Sequence, residues 1–109
     1  MDEFTKKRII KIMDYYISNK IPLHLQNQIK LNYKIRGSNV TLFQERPAFK
    51  SDKWVQLDIA QFRQDDAGWK VYWKDSRGKW HHIEEIEPDD LFENQLKVVD
   101  QDENGMFSI

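Results

Sequence analysis

The chain has 109 residues, a net charge of −1 and no cysteine. That length suits a single domain, and the missing cysteines exclude disulfides, thiolate metal sites and a cysteine nucleophile. Aromatic residues make up 13%, with four Trp, four Tyr and six Phe, enough large rings to build one small core.

The pattern predicts an α+β domain: an N-terminal helix, a five-stranded antiparallel meander and a C-terminal helix. The first helix is expected over 3–19. Ile9, Ile12, Met13 and Tyr16 recur at i, i+3, i+4 and i+7, which places them on one helical face. Lys6, Lys7, Arg8 and Lys11 cover much of the rest, and Pro22 lies beyond the helix end. Lys11 and Asp14 interrupt the apolar run, so it reads neither as a signal peptide nor as a membrane span. The helix is expected to dock on its own sheet rather than on a membrane, in a cytoplasmic protein.

The period then changes to two. Ile29, Leu31, Tyr33 and Ile35 alternate with Lys30, Asn32, Lys34 and Arg36, the mark of a half-buried strand over 29–36. Gly37-Ser38 suits a two-residue type II′ hairpin turn. With that turn, Ile35 pairs with Val40, Tyr33 with Leu42, and Lys30 lies opposite Glu45. The second strand is expected over 40–46, ended by Pro47. The third spans 54–63, with Val55, Leu57 and Ile59 sharing a face. Phe62 falls on the opposite parity, which calls for a bulge or burial on both faces. The fourth strand, 69–74, sets Trp69, Val71 and Trp73 against Lys70, Tyr72 and Lys74. Asp75-Ser76-Arg77-Gly78 fits a type I turn, and the fifth strand follows over 79–84. Pro88 and the acids after it suggest a second helix over 88–100. Leu91, Phe92, Leu96 and Val99 form its apolar face, and Phe107 is expected to return to the core.

Three stretches carry a family resemblance: TLFQERPAF (41–49), IAQFRQDDAGWKVYWKDSRGKWHHI (59–83) and VVDQDENGMF (98–107). The spacing of Glu45-Arg46-Pro47, Phe62-Arg63, Trp69, Tyr72-Trp73, Trp80-His81 and the final Asp-x-x-Gly-x-Phe resembles domain of unknown function 3024. This resemblance implies a small stand-alone bacterial protein with no assigned activity and no catalytic residues to carry over.

Charge is unevenly distributed along the chain. Residues 1–50 hold ten Lys and Arg against four Asp and Glu, a net +6, and residues 51–109 hold seven against fourteen, a net −7. In a meander the two halves are expected to interleave and the charges to mix.

Asp100, Asp102 and Asn104, followed by Gly105, match the first half of a calcium loop. The bidentate glutamate of position 12 is lacking, so the preferred reading is a helix end and a glycine turn, with no metal. His81 and His82 are adjacent on a strand and point to opposite faces, unsuited to sharing one zinc ion. Glu84, Glu85, Glu87, Asp89 and Asp90 read as a solvated strand end and helix start. No cofactor signature is present and none is expected.

Lys30, Lys34, Arg36, Lys70, Tyr72 and Lys74 alternate on the solvent side of two strands, with Phe43 and Phe62 expected beside them. Cations around rings on a sheet surface suit single-stranded nucleic acid, although a pI near 6.3 is low for that role. The leading expectation is a non-enzymatic module that binds a protein partner or itself. Single-stranded nucleic-acid binding is the alternative. An enzyme with a composite site of His81, Glu45 and Arg46 is a weaker one.

Overall fold

Asp2 starts the first helix: its carboxylate accepts a hydrogen bond from the Thr5 N–H at 2.7 Å, and α1 runs over Glu3–Lys20. This N-cap satisfies one of the donors a helix start leaves unpaired. The computed structural model describes residues 1–50 and 52–107. After α1 a single 3-10 turn, Leu23–Leu25, leads into β1 (Lys30–Arg36), β2 (Asn39–Pro47), β3 (Trp54–Asp65), β4 (Gly68–Lys74) and β5 (Trp80–His82). The second helix, α2, spans Phe92–Gln101. The strands form one antiparallel sheet in the order β1-β2-β3-β4-β5.

The first hairpin has the expected register: Ile35 pairs with Val40, Tyr33 with Leu42 and Lys30 with Glu45. Gly37 has φ 57 and Ser38 is not in the left-handed region, the φ signs of a type II′ turn. Pro47 is the last residue of β2 rather than the residue beyond it. The register of β2 against β3 shifts between Leu42 and Phe43, where Leu42 pairs with Ala60 and Phe43 with Asp58. Ile59 is therefore the extra residue of a bulge. The bulge restores parity, so Phe62 and Ala60 point inward beside Val40 and Leu42. Val55 and Leu57 keep that inward parity but are 42% and 46% exposed, because they lie on the part of the sheet beyond the helices.

Both helices cover the same face. Ile9 and Met13 from α1 and Phe92, Leu96 and Val99 from α2 share one core cluster with Leu31, Val40, Leu42, Phe62, Trp69 and Val71. Phe107 is 4% exposed and completes the cluster, as expected. Arg8 on α1 pairs with Glu93 on α2. Near the other end Tyr16 donates to Asp100 at 2.8 Å, and Lys20 pairs with the same carboxylate at 2.8 Å. Tyr33 reaches from β1 to Asp14 at 2.8 Å.

The start of the second helix and the end of the fifth strand also differ from expectation. The second helix starts at Phe92, not Pro88. The Asp89 carbonyl accepts from Trp69 N–H at 2.7 Å and the Asp89 N–H donates to the Trp69 carbonyl at 3.1 Å, so Asp89 is held as an antiparallel bridge against β4. The Asp89 carboxylate then accepts from the Leu91 N–H at 2.8 Å and from the Asn94 amide, which turns the chain into the helix. The fifth strand ends at His82 instead of residue 84. Ile83 is 4% exposed and the Ile86 N–H bonds back to its carbonyl at 3.2 Å, so the chain leaves the sheet there.

These polar ties predict a loss of stability at both pH extremes. Lys20 holds the Asp100 carboxyl below its ordinary value of 3.8, with burial opposing and Tyr16 assisting. His81 does the same for Asp75. A depressed carboxyl pKa stabilises the folded state fully above about 3.8, and the gain is lost as pH falls through the lower folded values. Burial and the bond to Asp14 raise the Tyr33 phenol from 10.0 to about 12, and burial with Asp100 raises Tyr16 as well. Their contribution is present below pH 10 and lost as pH rises through the folded values. Urea midpoints against pH are therefore expected to form a plateau that falls below about pH 4 and again above about pH 10. In Tyr33→Phe the alkaline fall is expected to weaken; an unchanged alkaline limb would contradict this assignment.

Candidate functional site

Since both helices lie on one side, the other face of the sheet is left open. Strand pairing lays out its side chains in rows. One row reads Asn32, Phe43 and Asp58. The next reads Lys34, Thr41, Gln61, Tyr72 and His82, and the next Arg36, Asn39, Arg63 and Lys70. Lys74 and Trp80 pair on the same face, as do Lys30 with Glu45 and Pro47 with Trp54. All six candidate residues, Lys30, Lys34, Arg36, Lys70, Tyr72 and Lys74, thus share one surface. Phe43 joins them. Phe62 does not: it is fully buried on the inner face, because the bulge at Ile59 shifts the strand's parity.

The two halves of the chain interleave on this face, as expected, but it keeps a basic excess. The paired positions of this face carry Lys30, Lys34, Arg36, Arg63, Lys70 and Lys74 against Glu45, Asp58 and Asp65, with Lys70 paired to Asp65 at 2.8 Å, which leaves a basic excess on a chain whose net charge is −1. The compensating acids gather in the segment after β5, in the turns between strands and around the end of α2. The reason is periodicity: strand residues two apart share a face, so Lys30, Lys34 and Arg36 add up on one side, while Glu84 to Asp90 lie beyond the last strand.

Each ring on the face has a cation over it. Lys30 Nζ lies 4.4 Å from the Trp54 ring centroid, Lys34 Nζ 5.8 Å from Phe43, the Arg63 guanidinium 4.1 Å from Tyr72 and Lys74 Nζ 5.5 Å from Trp80. The ring quadrupole attracts each cation by about 0.5–1 kcal/mol at exposed sites. His82 tilts against Tyr72 at 5.3 Å. A network of polar side chains fills the space between the rings. Gln61 donates to Thr41 at 2.8 Å, Arg63 Nε donates to Gln61 at 2.6 Å, and Lys74 pairs with Asp58 at 2.6 Å. Burial pushes the Asp58 carboxyl up, but bonds from Lys74 and Gln56 and the charges of Lys74 and Lys34 outweigh it and hold it below 3.8. A depression of about 300 Å³ opens here, bordered by Lys34, Arg36, Asn39, Lys74 and Trp80.

Arg63, Trp54, Trp80 and His82 belong to this surface and were absent from the sequence-derived set. Trp80 could have been found by extending the alternation of Tyr72 and Lys74 across the turn at Asp75-Gly78, whose Gly78 N–H bonds to the Asp75 carbonyl at 3.0 Å, and Arg63 by pairing β4 back across the turn after Asp65.

The other candidate sets are dispersed. Asp100 faces Tyr16 and Lys20, whereas Asp102 accepts from the Phe107 N–H at 3.0 Å. The Asp102 backbone is left-handed, with φ 44, and caps α2 by donating to the Val98 carbonyl. Among the described residues no three His, Asp or Glu side chains are grouped to hold a metal ion. His81 stacks on Trp73 at 5.0 Å and bonds Asp75 at 2.6 Å. Glu45 and Arg46 are neighbours on β2 and point to opposite faces. β2 and β5 are three strand spacings apart, about 14 Å across the sheet, so His81, Glu45 and Arg46 do not converge.

The fold and this surface define a class: a two-layer α+β protein with one sheet face packed by helices and the other a basic, aromatic, solvent-open platform. The chain belongs to the family described as Domain of unknown function (DUF3024), which matches residues 1–109. No curated protein and no solved structure gives a significant match. No helix among the described residues is long and apolar enough to cross a membrane.

Proposed function

We propose that this protein is a non-enzymatic binding module that holds single-stranded nucleic acid on the open face of its sheet, acting in the cytoplasm. The observation that carries the reading is the run of three accessible ring–cation pairs at Trp54, Tyr72 and Trp80, 4.1–5.5 Å apart, on the face that no helix covers, with a fourth at the buried Phe43 beneath them. Such a surface matches both halves of a nucleotide. Bases stack on the faces of Trp54, Tyr72 and Trp80, and the lysines swing from the rings to the phosphates. Stacking tolerates any base because every base has a π-face. A duplex buries its bases, so the rings select a single strand. The dispersal of His81, Glu45 and Arg46 favours binding over catalysis.

The test is fluorescence anisotropy of a labelled single-stranded oligonucleotide in low salt. Binding is expected to weaken log-linearly with salt, with a slope of about −0.7 for each phosphate neutralised. The variant Tyr72→Ala is expected to weaken binding roughly 5–150-fold, the equivalent of about 1–3 kcal/mol for one stacked base. Joint replacement of Lys30 and Lys34 by Gln is expected to flatten the salt slope by about 1.4. No binding at low salt would sink the reading, since phosphate contacts are strongest there.

A further inference from the structure

Two features of the helix layer have no part in the platform. The first is a stripe on α1. Phe4, Lys7, Lys11 and Tyr15 recur at i, i+3, i+7 and i+11 and lie on one line of the helix. Phe4 is 79% and Tyr15 72% exposed, and among the described residues neither lysine has an ion-pair partner. The second is a groove of about 700 Å³ between α2, the segment after β5 and the turn beyond Asp102. Ile86, Val98 and Met106 form its apolar lining, and Glu85, Glu87 and Glu103 stand on its rim. Val98 and Met106 are 36% and 43% exposed.

We infer that these are the two halves of one interface: the α1 stripe of one copy docks in the groove of a second copy. The complementarity is of two kinds. Aromatic anchors on a helix meet an apolar trough, the usual way an amphipathic helix is held in a groove. Lysines between those anchors meet carboxylates on the trough's rim, which sets orientation and speeds encounter. One molecule cannot satisfy itself. Arg8, Tyr16 and Lys20 tie α1 to Glu93 and Asp100 on one flank of α2, whereas Asn94 and Val98 face the groove on the other flank. The α1 stripe also points away from Ile9 and Met13, which are fully buried on the sheet. The contact is therefore heterologous, and assembly grows with concentration unless the rotation between copies closes a ring. It leaves the basic sheet face free in every copy.

Sedimentation velocity on the full chain tests this across a concentration series. The wild type is expected to associate. The doubles Lys7→Glu with Lys11→Glu, and Glu85→Lys with Glu103→Lys, each place like charges across the contact, and each is expected to raise the dissociation constant at least ~100-fold. All four positions are surface side chains, so circular dichroism is expected to show both doubles folded. An equimolar mixture of the two doubles restores opposite charges at every contact and is expected to recover association. A wild type that stays monomeric overturns the inference, as does a mixture that fails to recover. A monomer whose groove takes a basic apolar peptide overturns it too. None of these results touches the nucleic-acid reading, which rests on the opposite face and a different assay.

Discussion

Replacing Phe92 by alanine is expected to lower the unfolding free energy by about 3–5 kcal/mol, the usual cost of emptying a buried aromatic site. Phe92 is 1% exposed. Its ring meets Phe62 edge-on, with centroids 4.9 Å apart, and Trp69 likewise at 5.1 Å. As the first residue of α2, it anchors the helix to β3 and β4 at one point. The alanine variant loses the apolar burial, leaves a cavity and removes two edge-to-face contacts worth about 0.5–1.5 kcal/mol each. A domain of this size has only about 5–15 kcal/mol in total, so the loss is severe. Urea denaturation of Phe92→Ala and Phe92→Leu measures it; leucine refills most of the volume and is expected to lose less than half as much. A loss below about 1 kcal/mol for the alanine variant is what an exposed surface site would give, and it would contradict this packing.

The second large effect is expected from Gly68→Ala, through the backbone rather than the core. Gly68 has φ 114, and a Cβ there would lie 2.9 Å from the Asp89 carbonyl oxygen and 3.0 Å from its carbon. The Asp89 backbone cannot easily yield, since it exchanges two hydrogen bonds with Trp69. Strain at φ 114 and the weakened bridge together predict a loss of about 2–4 kcal/mol. Gly37 is the control. Its φ is 57 and nothing lies within 4 Å of its Cβ position, so Gly37→Ala pays only the left-handed penalty, about 1–2 kcal/mol. Equal losses in the two variants would show that the Asp89 contact is not tight. The same bridge explains the buried Gln95, whose amide donates to the Trp69 carbonyl at 2.7 Å and the Glu87 carbonyl at 2.9 Å. It pins the segment that the acidic residues alone would have made helix.

How much of this was readable depended on the range of the interactions. The register of β1 on β2 followed from Gly37-Ser38 and a period of two, because a hairpin's pairing is settled by its own turn. The bulge at Ile59 was foreshadowed by the parity of Phe62. The start of α2 was misread because Pro88, Asp89 and Asp90 carry local helix-start signals, while the bonds that override them come from Trp69, twenty residues earlier in the chain. Phe62 was misplaced on the open face because an unlocated bulge reverses every side chain beyond it.

The candidate surface divides in the same way. Alternation placed Lys30, Lys34 and Arg36 together on one face of β1, and Lys70, Tyr72 and Lys74 together on one face of β4. Pairing through β2 and β3 was needed to make those two faces one and to bring in Arg63, Trp54 and Trp80. That the surface is open at all depends on where the helices pack. The amphipathic stripe of each helix shows that it must cover a sheet, but a stripe carries no label for one side or the other. The sheet supplies the label: alternation makes one of its faces apolar, and Val40, Leu42, Phe62, Trp69 and Val71 on that face form a single core with Ile9 and Met13 of α1 and Phe92, Leu96 and Val99 of α2.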